Sequence, residues 1–125
     1  MNRTDLEKYI RNTYKAEPEY PWMKYPNYAV FRHNDNKKWF ALIMDVPKTK
    51  LGLSENEVLE VVNFKCSPLL LHTFLDEKGF FPAYHMNKAC WITVALDGSV
   101  ADDKIKILSD VSFNLTLPKI LETKT

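Results

Sequence analysis

Apolar and polar positions change period several times along this chain, and each change marks an element. Leu6, Tyr9 and Ile10, with Thr13 and Tyr14, recur at helical spacing, while Glu7, Lys8, Arg11 and Asn12 take the opposite face. Thr4 and Glu7 stand in capping-box spacing ahead of this stripe, so a first helix is expected from about Asp5 to Lys15. Residues Ala16 to Asn27 then hold Pro18, Pro21 and Pro26. Each lacks an amide donor and biases its predecessor toward extended geometry. Tyr20, Trp22, Met23 and Tyr25 give this stretch too much apolar surface to stay solvated, so it reads as a structured connector.

Two β-branched and aromatic runs, Tyr28 to His33 and Lys38 to Val46, flank Asn34-Asp35-Asn36-Lys37 and predict a hairpin. Glu57 to Lys65 predicts a third strand, for which an antiparallel meander is the simplest arrangement. Ser67-Pro68 has the cap-and-proline pattern of a second helix, continuing from Leu69 to Glu77 until Gly79. A short extended piece at Phe80 to Tyr84 and a strand from Trp91 to Leu96 follow, the latter stopped by Asp97-Gly98. Ser99 opens a third helix, with Asp102 and Asp103 near its positive end and Ala101, Ile105, Leu108, Ser112 and Leu115 as its buried stripe. The order α-β-β-β-α-β-β-α predicts an α+β fold with helices against one face of a twisted antiparallel sheet.

Composition narrows this picture without redirecting it. At 125 residues and 46% hydrophobic, one domain over residues 1–125 is expected, burying roughly two thirds of its unfolded surface. No apolar run approaches the roughly 18 residues of a membrane span. The N-terminal MNRTDLEKYI lacks a signal-peptide core, so a cytoplasmic monomer without a membrane partner is the expectation. Seventeen basic against sixteen acidic residues leave a net charge of +1, short of the excess that accompanies strong phosphate-backbone binding. Any nucleic-acid site must be a local patch. Cys66 and Cys90 share no ligand-type spacing and read as reduced core thiols.

The densest candidate chemistry lies in Gly79 to Ser99, GFFPAYHMNKACWITVALDGS, where His85, Asn87, Lys88 and Trp91 crowd the mouth of a strand. Asn87 both donates and accepts, Lys88 carries a flexible charge, His85 offers an ionisable ring and Trp91 a flat one. Together they suit a phosphate or a base. The same residues also have a purely structural reading, with His85 and Asn87 tying down the turn and Trp91 in the core. Arg32, His33, Lys37 and Lys38 bracket the hairpin turn, and Lys48 and Lys50 follow in sequence, so a positive edge can form there. Alternatively, these lysines only protect an exposed strand from pairing.

At His85-Met86-Asn87-Lys88, Trp91 and Leu96-Asp97-Gly98 the chain resembles the MmcQ/YjbR family, and KWFALIMDV and NFKCSP extend the likeness over nearly the whole chain. The resemblance implies frataxin-like (CyaY-like) layering, also described as a double wing. It further implies a non-enzymatic DNA-binding role, for which the candidate residues are Lys37, Lys38, His85, Asn87, Lys88 and Trp91. Iron handling does not follow from the frataxin likeness, because Asp5 and Glu7 are interleaved with Arg3, Lys8, Arg11 and Lys15. Two other readings of the polar turn stand beside DNA binding: a ligand or enzyme pocket with His85 as acid or base and Lys88 holding an anion, and a protein adaptor with an exposed patch around Phe80 and Phe81. His33, His72 and His85 lack metal-ligand spacing, and no nucleophile motif or phosphate-cradling loop is present, so neither metal, cofactor nor catalytic residue is expected. Most of the aromatic set Trp22, Tyr25, Trp39, Phe80, Phe81 and Trp91 is expected in the core.

Overall fold

A computed structural model describes residues 1–118. Helix α1 (Arg3–Tyr14) is followed by strands β1 (Ala29–Arg32), β2 (Trp39–Pro47) and β3 (Val58–Lys65), with a 3-10 turn at Lys48–Leu51. Helix α2 (Pro68–Phe74), strands β4 (Phe80–Pro82) and β5 (Trp91–Ala95) and helix α3 (Asp102–Leu115) complete the expected order. The five strands form one sheet in the order β1-β2-β3-β5-β4, with every pair antiparallel.

Helix boundaries depart from expectation where a cap was misplaced. Asn2 caps α1: its side chain accepts from the Asp5 amide at 2.9 Å while Asp5 accepts from the Asn2 amide. Thr4 lies inside the helix, where a capping geometry is unavailable, and Glu7 instead pairs with Arg3 one turn back. Ser67 does cap α2, but the helix ends at Phe74, short of Glu77. Helix α3 starts at Asp102 rather than near Ser99 and has no side-chain cap, so Asp102 and Asp103 in its first turn supply the favourable charge at that end.

All three helices cover one face of the sheet. Leu6 and Ile10 of α1, Leu71 of α2, and Ile105 and Leu108 of α3 pack with Phe31, Phe40, Ile43, Val62, Phe64, Ile92 and Val94. Burying each large side chain contributes roughly 1.5–3 kcal/mol. Ser112 sits on the same helical stripe, fully buried, and ties α3 to two strands by donating to the Phe40 carbonyl and accepting from the Lys65 amide. Leu115, expected on that stripe, is largely exposed.

The opposite face is apolar too. Val30, Leu42, Met44, Val46, Leu59, Val61 and Ala95 form a second cluster there, covered by Trp22 of the connector, Leu51 of the 3-10 turn, and Tyr84 and Met86. The connector is structured, as its composition implied: Glu19 bridges Val30, and Asn27 donates to Asp45. Among the described residues no helix is long and apolar enough to cross a membrane.

His33 joins the β1–β2 hairpin to the end of α3. Its Nε2 lies 3.1 Å from the Phe113 carbonyl and 2.8 Å from the Thr116 hydroxyl, and that hydroxyl donates to the Ser112 carbonyl. Nε2 therefore carries the proton and donates to both acceptors. Burial holds the His33 pKa below its usual value, although the bond to Phe113 partly offsets this. The unfolded chain therefore binds a proton that the folded chain resists. Stability is complete above about pH 6.5 and falls as pH drops toward the depressed folded pKa. In urea titrations at pH 7, 6 and 5, His33→Gln is expected to flatten this decline, and equal slopes for both proteins would contradict it.

Candidate functional site

The hairpin turn, the C-terminal ends of β3 and β4 and the start of β5 share one end of the sheet, since Trp39 follows the turn, Lys65 pairs with Trp91, and Pro82 pairs with Ile92. The polar turn 83–90 joins β4 to β5 at this hairpin end. Strands β2 and β5 flank β3, which sets the near strands of the two turns roughly 10 Å apart and the turn centres roughly 14 Å apart across the sheet.

A buried polar triangle fixes the polar turn. Asn63 on β3 and Thr93 on β5 are direct cross-strand partners, both fully buried on the face away from the helices. Thr93 donates to Asn63 Oδ1 and accepts from the Tyr84 amide at 2.9 Å, while Asn63 Nδ2 donates to the Tyr84 carbonyl at 2.7 Å. Both backbone polar groups of Tyr84 are thus satisfied from beneath. His85 then adopts a φ of 65°, a left-handed conformation in which histidine is enriched among non-glycine residues. Its ring lies 3.9 Å from that of Tyr84. Asn87 closes the turn, accepting from the Ala89 amide through its side chain and from the Trp91 amide through its carbonyl.

A β-bulge on β2 creates the neighbouring surface. Phe31 pairs with Ala41 but Arg32 pairs with Trp39, so Phe40 is an extra residue in the ladder. Strict alternation from Ala41 and Ile43 would aim Trp39 at the helices. The bulge turns it onto the other face, where it packs edge-to-face on Trp22 at 5.7 Å. Trp22 also meets Tyr28 edge-on, and Tyr25 stacks on Tyr28 at 4.6 Å. These four rings, with Leu42, Met86 and His85, line a cleft of about 300 Å³. Across Tyr84 a second cleft of about 240 Å³ is lined by Lys50, Leu51, Phe81, Pro82, Ala83, Tyr84 and Lys88.

The candidate residues divide by role. Lys37, Lys38, His85, Asn87 and Lys88 are exposed at the hairpin end. No carboxylate among the described residues lies within ion-pairing distance of Lys37, Lys38 or Lys88. Trp91 is only 8% exposed and belongs to the strand, so the flat rings at the surface come from Trp22, Tyr25 and Trp39 instead. The wider positive edge does not form. Arg32 is held by Glu19 through two bonds of 2.7 and 2.8 Å, His33 is buried, and Lys48 lies at the other end of β2, paired with Glu55 and Glu57. Phe80 is buried and Phe81 half-buried, leaving no exposed patch there.

Cys66 and Cys90 adjoin where β3 meets β5, with the Cys66 amide donating to the Cys90 carbonyl. Burial pushes the Cys66 thiol up to about 11, helped by Cys90, so it stays protonated and unreactive near neutrality. Cys90 is half-buried in the turn and is not core. Among the described residues no three of His, Cys, Asp or Glu gather as a metal site.

Sequence reasoning missed Asn63, Thr93 and the cleft. Asn63 carried a signal, being the one uncharged polar residue within EVLEVVNFK. Thr93 did not, because threonine is an ordinary strand former.

The fold defines the class: an α+β protein with a five-stranded antiparallel open sheet and three helices. Within that class the chain belongs to the YjbR family, whose sequence model matches residues 11–115. It is 40% identical over 116 residues to the "uncharacterized protein YyaQ" of Bacillus subtilis, covering 93% of this chain and 98% of that protein. Identity to YjbR of Escherichia coli is 34% over 93 residues, covering 74% of this chain and 77% of that one. A crystal structure of a Pseudomonas syringae protein superposes with a TM-score of 0.91 at 44% identity, covering 94% of this chain and all of the other. At 20% identity, Deinococcus radiodurans DR2400 shares the fold, with a TM-score of 0.70 over 91% of this chain and 77% of that one.

Asn63→Ala is expected to lower stability by about 2–4 kcal/mol, because it strands the Tyr84 carbonyl and unpairs the Thr93 hydroxyl in a buried site. Urea denaturation measures the loss, and amide exchange at the turn should quicken with it. A loss below about 0.5 kcal/mol would mean that the triangle does not hold the turn.

Proposed function

We propose that the chain binds DNA at the hairpin end of the sheet. The observation that carries this reading is the placement of Lys37 and Lys38 on one turn and Lys88 on another at the same sheet end, all exposed and without carboxylate partners among the described residues. Phosphate contacts of this kind position a protein on nucleic acid without reading sequence. Asp35 shares the hairpin turn with Lys37, but a larger acidic group lies elsewhere: Glu55, Glu57, Glu77 and Asp97 are around the opposite end, beside Lys48 and Lys78. A net charge of +1 is therefore compatible with a locally cationic surface.

A catalytic pocket is less well supported. His85 and Lys88 line different clefts on either side of Tyr84 and do not converge on one concavity. An adaptor surface at Phe80 and Phe81 draws no support from their burial.

Anisotropy titration with duplex and single-stranded DNA at about 50 mM and about 200 mM salt tests the proposal. With three phosphate contacts, affinity should fall about twenty- to fortyfold between these conditions, and Lys88→Ala should reduce the salt slope by about one contact. Absence of binding at the lower salt, or binding indifferent to salt, would overturn it.

A further inference from the structure

The aromatic cleft opens on the sheet face away from the helices, and its walls are flat rings. Trp22 stands at 83° to Trp39 and at 79° to Tyr28, giving a cornered slot with Tyr25 stacked outside Tyr28. A volume of about 300 Å³ is at the small end of ligand sites and suits one planar ring system. The slot is also preformed. The bulge aims Trp39, and the Asn63–Thr93 pair holds Tyr84 and hence His85 from below. Little ordering cost would accompany binding.

Its polar atoms are uncommitted. Among the described residues the Trp22 and Trp39 indole N–H groups, the Tyr28 hydroxyl and the His85 ring have no hydrogen-bond partner. Burial raises the Tyr28 pKa, with Tyr84 and Tyr25 adding to the effect, so that hydroxyl remains a donor across the physiological range. On the other side of Tyr84, whose ring lies 3.9 Å from that of His85, Lys50 and Lys88 reach the second cleft from two different segments. One residue step along the chain therefore separates a slot for a flat ring from a slot for an anion.

We propose that the aromatic cleft is a base-binding subsite. It takes one unpaired nucleobase against the solvent-facing surfaces of Trp22, Trp39 and Tyr25 beside His85, while Lys50 and Lys88 hold an adjoining phosphate. The inference rests on the nucleic-acid reading above and names its substrate class: single-stranded rather than duplex DNA. Stacking on aromatic rings is sequence-tolerant because every base has a π face. An aromatic cage of this kind also suits a quaternary ammonium ion, but Lys50 and Lys88 across the Tyr84 ridge disfavour a cation.

The test compares three probes on the wild-type protein at one low salt concentration: oligothymidylate, an abasic deoxyribose-phosphate strand of the same length, and a duplex of that length. Anisotropy and tryptophan fluorescence are the readouts. Oligothymidylate should bind about tenfold more tightly than the abasic strand and quench tryptophan emission, which the abasic strand should not. Trp22→Leu should erase this preference while leaving abasic binding unchanged, with thermal melting used to verify its fold. Equal affinity for oligothymidylate and the abasic strand, or tighter binding of the duplex, overturns the base subsite and leaves phosphate binding by the lysines intact. Failure of all three to bind overturns both proposals.

Discussion

A sheet that is apolar on both faces, with helices on only one, constrains everything else in this protein. The second face carries Val30, Leu42, Met44, Val46, Leu59, Val61 and Ala95, and leaving such a surface in water would forfeit the hydrophobic gain that stabilises the fold. With α1, α2 and α3 committed to the first core, irregular chain must do the covering. Irregular backbone brings polar groups that need partners when buried. Asn63 and Thr93 meet that need at Tyr84, and bulky rings from the proline-rich connector supply area that small side chains would not. The two clefts on this second face follow from this solution.

The architecture was legible because its signals were local. Period changes, the asparagine-rich hairpin turn and Ser67-Pro68 each report on a few neighbouring residues, and the strands appear within a residue or two of their expected positions. Helix starts were less secure, since Asn2 and Thr4 both offer capping side chains, and the choice depends on where the chain first turns helical. Within the site, the turn at His85, Asn87 and Lys88 stood out in sequence, whereas the cleft did not. Alternation places Trp39 with Ala41 and Ile43 on the helix face, and only the extra residue Phe40 reverses it. A bulge without glycine leaves little trace in sequence.

Charge shows the same division between local and long-range information. Six lysines, arginines and histidines between Arg32 and Lys50 look like one basic run. Folding sorts them into separate environments: Arg32 against Glu19, His33 beneath α3, Lys48 between Glu55 and Glu57, and Lys50 opposite Lys88. Only Lys37 and Lys38 remain at the hairpin tip. Exposed ion pairs contribute little to stability, about 0–1 kcal/mol each. Their larger consequence here is to take Arg32 and Lys48 out of the free positive charge, one at the hairpin end and one at the opposite end.

His85 joins these lines of argument. Its left-handed backbone costs energy for a residue with a side chain, and a glycine there would adopt the same turn without that cost. What the histidine adds is a ring that packs against Tyr84 and forms part of the aromatic cleft wall. The strain is tolerated because Tyr84 is pinned on both its amide and its carbonyl, so the preceding backbone cannot relax to relieve it. A buried amide on a central strand thus determines which way an exposed imidazole faces, and the flat slot and the lysine slot lie on either side of the step it fixes.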